Sequence, residues 1–153
     1  SKFLDPVPSE SKPKFNRKEK IGYYNRQEGS AILNDFWQSS EFIQFLEATT
    51  GLKPKFREAN HICYSAGDYS LLHIEESESR RLTVTYDFTK SWKQEWGGYD
   101  IYTSPNNNPL ICNRDPGSLM VVKLEEKDLS CTRYVSQKAV SVAQMDRIVY
   151  DLD

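Results

Sequence analysis

His73-Ile74-Glu75 sets an imidazole and a carboxylate two residues apart. On an extended strand alternate residues share a face, so this pair has the spacing of two facial ligands on an octahedral ion such as non-haem Fe(II). The only other histidine, His61, lies one candidate strand earlier in Asn60-His61-Ile62-Cys63. Alternation puts Ile62 with Tyr64 on one face and His61 with Cys63 on the other, so His61 does not share the face of Tyr64. Cys63, Cys112 and Cys131 form no Cys-X-X-Cys pair, and five Cys and His residues without close pairing do not make a structural zinc site. The sequence also lacks a Walker loop, a dinucleotide glycine fingerprint, Gly-X-Ser-X-Gly and His-Glu-X-X-His. Taken alone, a strand histidine beside acidic Glu75, Glu76 and Glu78 is ordinary surface, so its setting decides its meaning.

That setting reads as strands. After Lys55, short runs rich in Tyr, Val, Ile and Thr occur at 60–65, 70–75, 81–88, 99–103, 118–124, 129–135 and 147–152, separated by Gly, Asp, Asn and Pro. The clearest run sends Leu82, Val84, Tyr86 and Phe88 to one face and Arg81, Thr83, Thr85 and Asp87 to the other. The polar face either meets solvent or lines a ligand-holding interior while the apolar face lies under helices. Asn106-Asn107-Asn108-Pro109 and Asp115-Pro116-Gly117 carry loop and turn chemistry. Ahead of the strands, Ile32, Leu33, Phe36 and Trp37 share one helical face. Ser39 or Ser40 with Glu41 opens a second helix that buries Phe42, Ile43 and Leu46 and stops at Gly51. Seven strands behind two helices predict a mainly β (α+β) fold, a jelly roll buttressed by N-terminal helices.

Composition narrows the partners. The formal charge of −2 over 153 residues argues against a broad nucleic-acid or anionic-membrane footprint, and 12% aromatic residues argue for a packed core. No apolar run is long enough to span a membrane. Residues 1–20 hold six basic and three acidic side chains with Pro6, Pro8 and Pro13, which predicts a loosely ordered basic arm before a single domain over 21–153. Unpaired cysteines and no signal-peptide pattern predict an intracellular, cytoplasmic setting. A protein or peptide partner is the expectation; oligomeric state is not set by the sequence.

The run from Tyr64 through Gly67-Asp68-Tyr69 to His73-Ile74-Glu75 resembles the Tyr…Gly-Asp-Tyr-Leu…His-X-Asp stretch of Fe(II)/2-oxoglutarate dioxygenases, in their prolyl-hydroxylase-like branch. Arg80 to Phe88, Ser91-Trp92 and Glu95-Trp96-Gly97-Gly98 are similar to the segment that follows there, and the resemblance covers about residues 30–152. It implies a double-stranded β-helix holding iron through two histidines and a carboxylate, with 2-oxoglutarate as cosubstrate. On this mapping His73 and Glu75 are the metal ligands present, Tyr64 touches 2-oxoglutarate, and Arg147 pairs with its distal carboxylate. Asp87 stands where relatives carry a 2-oxoglutarate-binding Tyr, and Thr85 shares its face. The second metal histidine is absent: Thr132 or Arg133 takes its place, and no histidine follows His73. An ion pair between Asp87 and Arg147 is therefore predicted to fill the cosubstrate slot. The leading expectation is an oxygenase-fold domain that works as a non-catalytic binding or scaffolding module, with no cofactor. The alternatives are an active hydroxylase using Fe(II) and 2-oxoglutarate through an atypical site, and an unrelated jelly roll for a small polar ligand.

Overall fold

A computed structural model describes residues 13–15, 24–72 and 79–152 of the chain. The helical signals yield α1 (Asn34–Gln38) and α2 (Ser40–Thr50). The Ser39 hydroxyl accepts from the Phe42 amide at 3.2 Å and so satisfies one orphan donor of the first turn of α2. At the other end Gly51 takes a left-handed φ of 72°, a conformation a Cβ would penalise. Trp37, Phe42 and Leu46 are buried, as their spacing predicts, but Phe36 is 48% exposed. Ile32 and Leu33 precede α1, so the single helical face expected from Ile32 to Trp37 does not form.

Among the described residues ten strands follow this order: β1 (Pro13–Phe15), β2 (Tyr24–Ser30), then past the helices β3 (Lys55–Tyr64), β4 (Tyr69–Ser70), β5 (Arg81–Asp87), β6 (Asp100–Ser104), β7 (Asn107–Cys112), β8 (Leu119–Leu124), β9 (Leu129–Thr132) and β10 (Ala143–Asp151). The larger sheet runs β1-β2-β3-β10-β5-β8 with β4 on β2, and the smaller runs β7-β6-β9. All pairings are antiparallel, and the two layers form the expected jelly roll. Four strand expectations need correction, the first being the run at 70–75, of whose described residues only Ser70 lies in a strand (β4) while Leu71 and Leu72 do not. The polar segment of β2 forms a strand by pairing with β3, and the Asn-rich segment expected as loop forms edge strand β7 on β6. The strand expected at 129–135 ends at Thr132, beyond which Val135 makes an isolated bridge to Gly97. Of the basic arm, only Pro13–Phe15 falls among the described residues, where it pairs with β2.

The main core lies between the helices and the outer face of the larger sheet, where Trp37, Phe42 and Leu46 meet Leu82, Val84, Ile148 and Tyr150. Thus the apolar face of β5 lies under the helices, and Thr83, Thr85 and Asp87 turn, buried, to the other side. Among the described residues no helix is long and apolar enough to cross a membrane.

Candidate functional site

β10 sits between β3 and β5 and controls both faces of the larger sheet. Its register puts Met145 opposite Ile62 and Asp87, and Arg147 opposite Asn60 and Thr85. These residues face the smaller sheet, while Gln144, Asp146, Ile148 and Tyr150 face the helices.

On the inner face Arg147 meets a carboxylate from the opposite layer. Its Nη2 donates to Asp100 Oδ2 at 2.7 Å and its Nε to Thr85 Oγ1 at 3.3 Å. Arg114 donates to the same Asp100 oxygen, and Thr132 Oγ1 donates to Oδ1 at 2.7 Å. Arg114 and Arg147 also donate to Met145 Sδ at 2.9 and 3.4 Å. Asp100 and Arg114 are nearly sealed, with 4% and 3% of their side chains accessible, whereas Arg147 retains 19% and so touches solvent. Burial disfavours ionised Asp100, but the guanidinium groups of Arg114 and Arg147 outweigh it and hold the carboxyl below the usual range. Tyr102 lies in the same interior; burial is the main reason its phenol is pushed up to about 12.

Next to this group, Tyr64 is fully buried against Ile62, Val135, Ala143 and Met145. Its hydroxyl accepts from Arg26 Nη1 at 2.7 Å, and the Arg26 guanidinium lies 5.8 Å from the ring centre. Arg26 in turn pairs with Glu28. Tyr64, Arg147 and Thr85 thus share the inner face of the larger sheet.

Asp87 does not pair with Arg147. Its Oδ1 accepts from the Thr89 amide at 2.9 Å and its Oδ2 from the Asp115 amide at 3.0 Å. The reason is depth along the strand. Asp87 stands level with Met145 at the end of β5, within reach of turn amides, whereas Arg147 stands level with Thr85 and meets the facing sheet. His61 belongs to the opposite face. Its Nδ1 lies 2.7 Å from Asp146 Oδ1 and its Nε2 3.2 Å from Gln144 Oε1, and it has no exposed surface. Burial disfavours the imidazolium, but the hydrogen bonds and charges of Asp146 and Cys63 together outweigh that and the pKa rises to about 9.

His73 and Glu75 lie outside the described residues. No group of three His, Cys, Asp or Glu side chains with metal-binding geometry occurs among the described residues. Of the two positions that the sequence resemblance offers for a second metal histidine, Thr132 is buried with its hydroxyl committed to Asp100, and Arg133 is exposed. Sequence reasoning missed Asp100, Arg114 and Arg26 as members of the inner group. Asp100 and Arg147 are 47 residues apart on different sheets, and no local pattern links them.

Residues 6–147 match the family described as "Oxoglutarate and iron-dependent oxygenase degradation C-term". No curated protein sequence matches the chain. Among solved structures it is similar to a 2OG-Fe(II) oxygenase family oxidoreductase from Burkholderia pseudomallei, with TM-score 0.70 at 11% identity over 99% of this chain and 76% of that one. A prolyl-4-hydroxylase from Pseudomonas putida gives 0.66 at 12% identity over 94% and 78%. A prolyl hydroxylase from Trichoplax adhaerens, in complex with a hypoxia inducible factor oxygen degradation domain peptide fragment, gives 0.63 at 12% identity over 93% and 70%. At these identities the likeness is one of fold.

Proposed function

Since the chain belongs to the oxoglutarate and iron-dependent oxygenase degradation C-terminal family, we propose that it is an oxygenase-fold domain that has given up catalysis and serves as a binding or scaffolding module for a protein or peptide. The observation that carries this reading is the state of Thr132. Where an active site of this fold needs an imidazole nitrogen, Thr132 offers a hydroxyl already donated to Asp100 Oδ1 at 2.7 Å, and Thr is a poor iron donor. Arg133, the other position that the resemblance offers, is a permanent exposed cation that repels a metal ion. No later histidine exists in the chain to replace them. The cosubstrate end of the site gives the same support: the Arg147 fork that would receive a distal carboxylate already holds Asp100 at 2.7 Å. The donor set therefore does not fit an iron and 2-oxoglutarate centre. A peptide or protein partner agrees with the peptide seated on the Trichoplax adhaerens relative.

One observation favours a second reading. His73-Ile74-Glu75 keeps half of a facial ligand set in the sequence, which would suit an Fe(II)/2-oxoglutarate hydroxylase with an atypical third ligand. Calorimetric titration of the metal-stripped protein with Mn(II), with and without 2-oxoglutarate, separates the two. The non-catalytic reading expects no saturable heat and no cosubstrate effect. Binding tighter than ~10 μM that strengthens with 2-oxoglutarate and is lost in His73→Ala would establish the hydroxylase reading instead.

A further inference from the structure

The inner face of β10 holds two arginines that converge on a single carboxylate oxygen, and that carboxylate comes from the chain itself. We propose that Arg147 and Arg114 form a receptor for one carboxylate, and that Asp100 is the tethered ligand that keeps it filled. The inference deepens the non-catalytic reading and rests on it, because it names what occupies the interior in place of an external cosubstrate.

The geometry is that of a bound anion more than of a surface ion pair. Both guanidinium groups reach Asp100 Oδ2, and the Thr132 hydroxyl reaches Oδ1, so each carboxylate oxygen is held by side-chain donors. Charge-assisted bonds of this kind in a nearly sealed interior give the most to carboxylate recognition. The receptor has donors to spare: Arg114 Nε is buried with no acceptor. Arg147, 19% accessible, connects the group to solvent. A free carboxylate entering there competes with one already positioned on β6, whose effective concentration far exceeds that of any dissolved metabolite. Asp100 thus sets the specificity of the interior, and it does so by exclusion.

The test is to remove the tethered carboxylate and supply a free one. Asp100→Ala leaves a space the size of formate between two guanidinium cations and lowers the melting temperature by about 10 °C. Sodium formate, compared with sodium chloride at equal ionic strength, is expected to recover part of that loss in Asp100→Ala. The wild type and Asp100→Asn, whose amide still fills the space, are expected to respond equally to the two salts. Equal responses to formate and chloride in Asp100→Ala overturn the proposal, as does a formate response of the same size in the wild type. If Asp100→Ala does not fold in chloride, its refolded yield in formate against chloride is the readout, and equal yields overturn the proposal. Mn(II)-dependent 2-oxoglutarate binding by the wild type would sink the non-catalytic reading separately, leaving formate rescue to decide the identity of the receptor.

Discussion

Strand β10 has a buried carboxylate against each of its faces, and the two are satisfied in opposite ways. Toward the helices, Asp146 accepts four bonds: the Ile32 and Leu33 amides at 2.9 Å each, the Trp37 indole at 2.9 Å and His61 at 2.7 Å. Two of those donors are backbone groups at the turn that enters α1, and they have no other way to be satisfied once buried. Toward the smaller sheet, Asp100 meets only side chains: two guanidinium groups and a hydroxyl. A carboxylate that closes backbone ends is part of the architecture. One that closes only on side chains can be removed together with its partners, because they leave nothing of the main chain exposed to an apolar interior.

The largest expected effect tests the first half of this contrast. Asp146→Ala strands a buried imidazole together with two amides and an indole, and should cost about 3–5 kcal/mol in urea unfolding. A loss below about 1 kcal/mol would mean that water replaces the carboxylate and that the latch between helices and sheet is an illusion.

Next comes pH. His61 is raised from 6.5 to about 9 in the folded state. A raised histidine contributes its full stabilisation below its unfolded pKa and loses it as pH climbs through its folded one. Stability should therefore fall by on the order of 3 kcal/mol between pH 6.5 and 9, with His61→Gln flattening the profile. A wild-type profile already flat across that window would assign His61 as neutral.

The smallest effect belongs to the inner face. Replacing the set at once, with Asp100→Leu, Arg114→Met, Arg147→Met and Thr132→Val, should leave stability within about 1 kcal/mol of the wild type, since exchanging the carboxylate together with all three of its side-chain donors for apolar groups of similar volume leaves none of those donors unpaired. The corresponding double change His61→Leu with Asp146→Leu should cost more than about 2 kcal/mol, because the Ile32 and Leu33 amides stay behind. If the two replacements cost the same, the contrast between the faces fails.

Local signals were readable where a residue acts on its near neighbours. Ser39 capping Phe42, the stop at Gly51 and the alternation from Arg81 to Asp87 all depend on spacing within a few residues, and all appear in the fold. β2 and β7 hid because their polar residues carry no burial pattern; pairing on a neighbour, not composition, makes them strands. The resemblance put Tyr64 and Arg147 in one pocket but said nothing of depth, so charge logic chose Asp87 when the carboxylate at the right level was Asp100 on the other sheet. Asp146 did leave a clue: it shares the parity of Ile148 and Tyr150, and an acid on an apolar stripe announces a buried acceptor.

The position of β10 also sets a schedule. It is the last described strand in chain order and a central one of the larger sheet, wedged between partners 79–96 residues earlier on β3 and 58–70 earlier on β5. While a ribosome makes the chain, β3 and β5 stand as unpaired edges, and the helices have only part of their floor to pack on, until β10 emerges. The domain therefore completes its sheet in one late insertion, which predicts slow assembly of high contact order. Nascent chains stalled before residue 143 would offer two open strands to a chaperone or to one another.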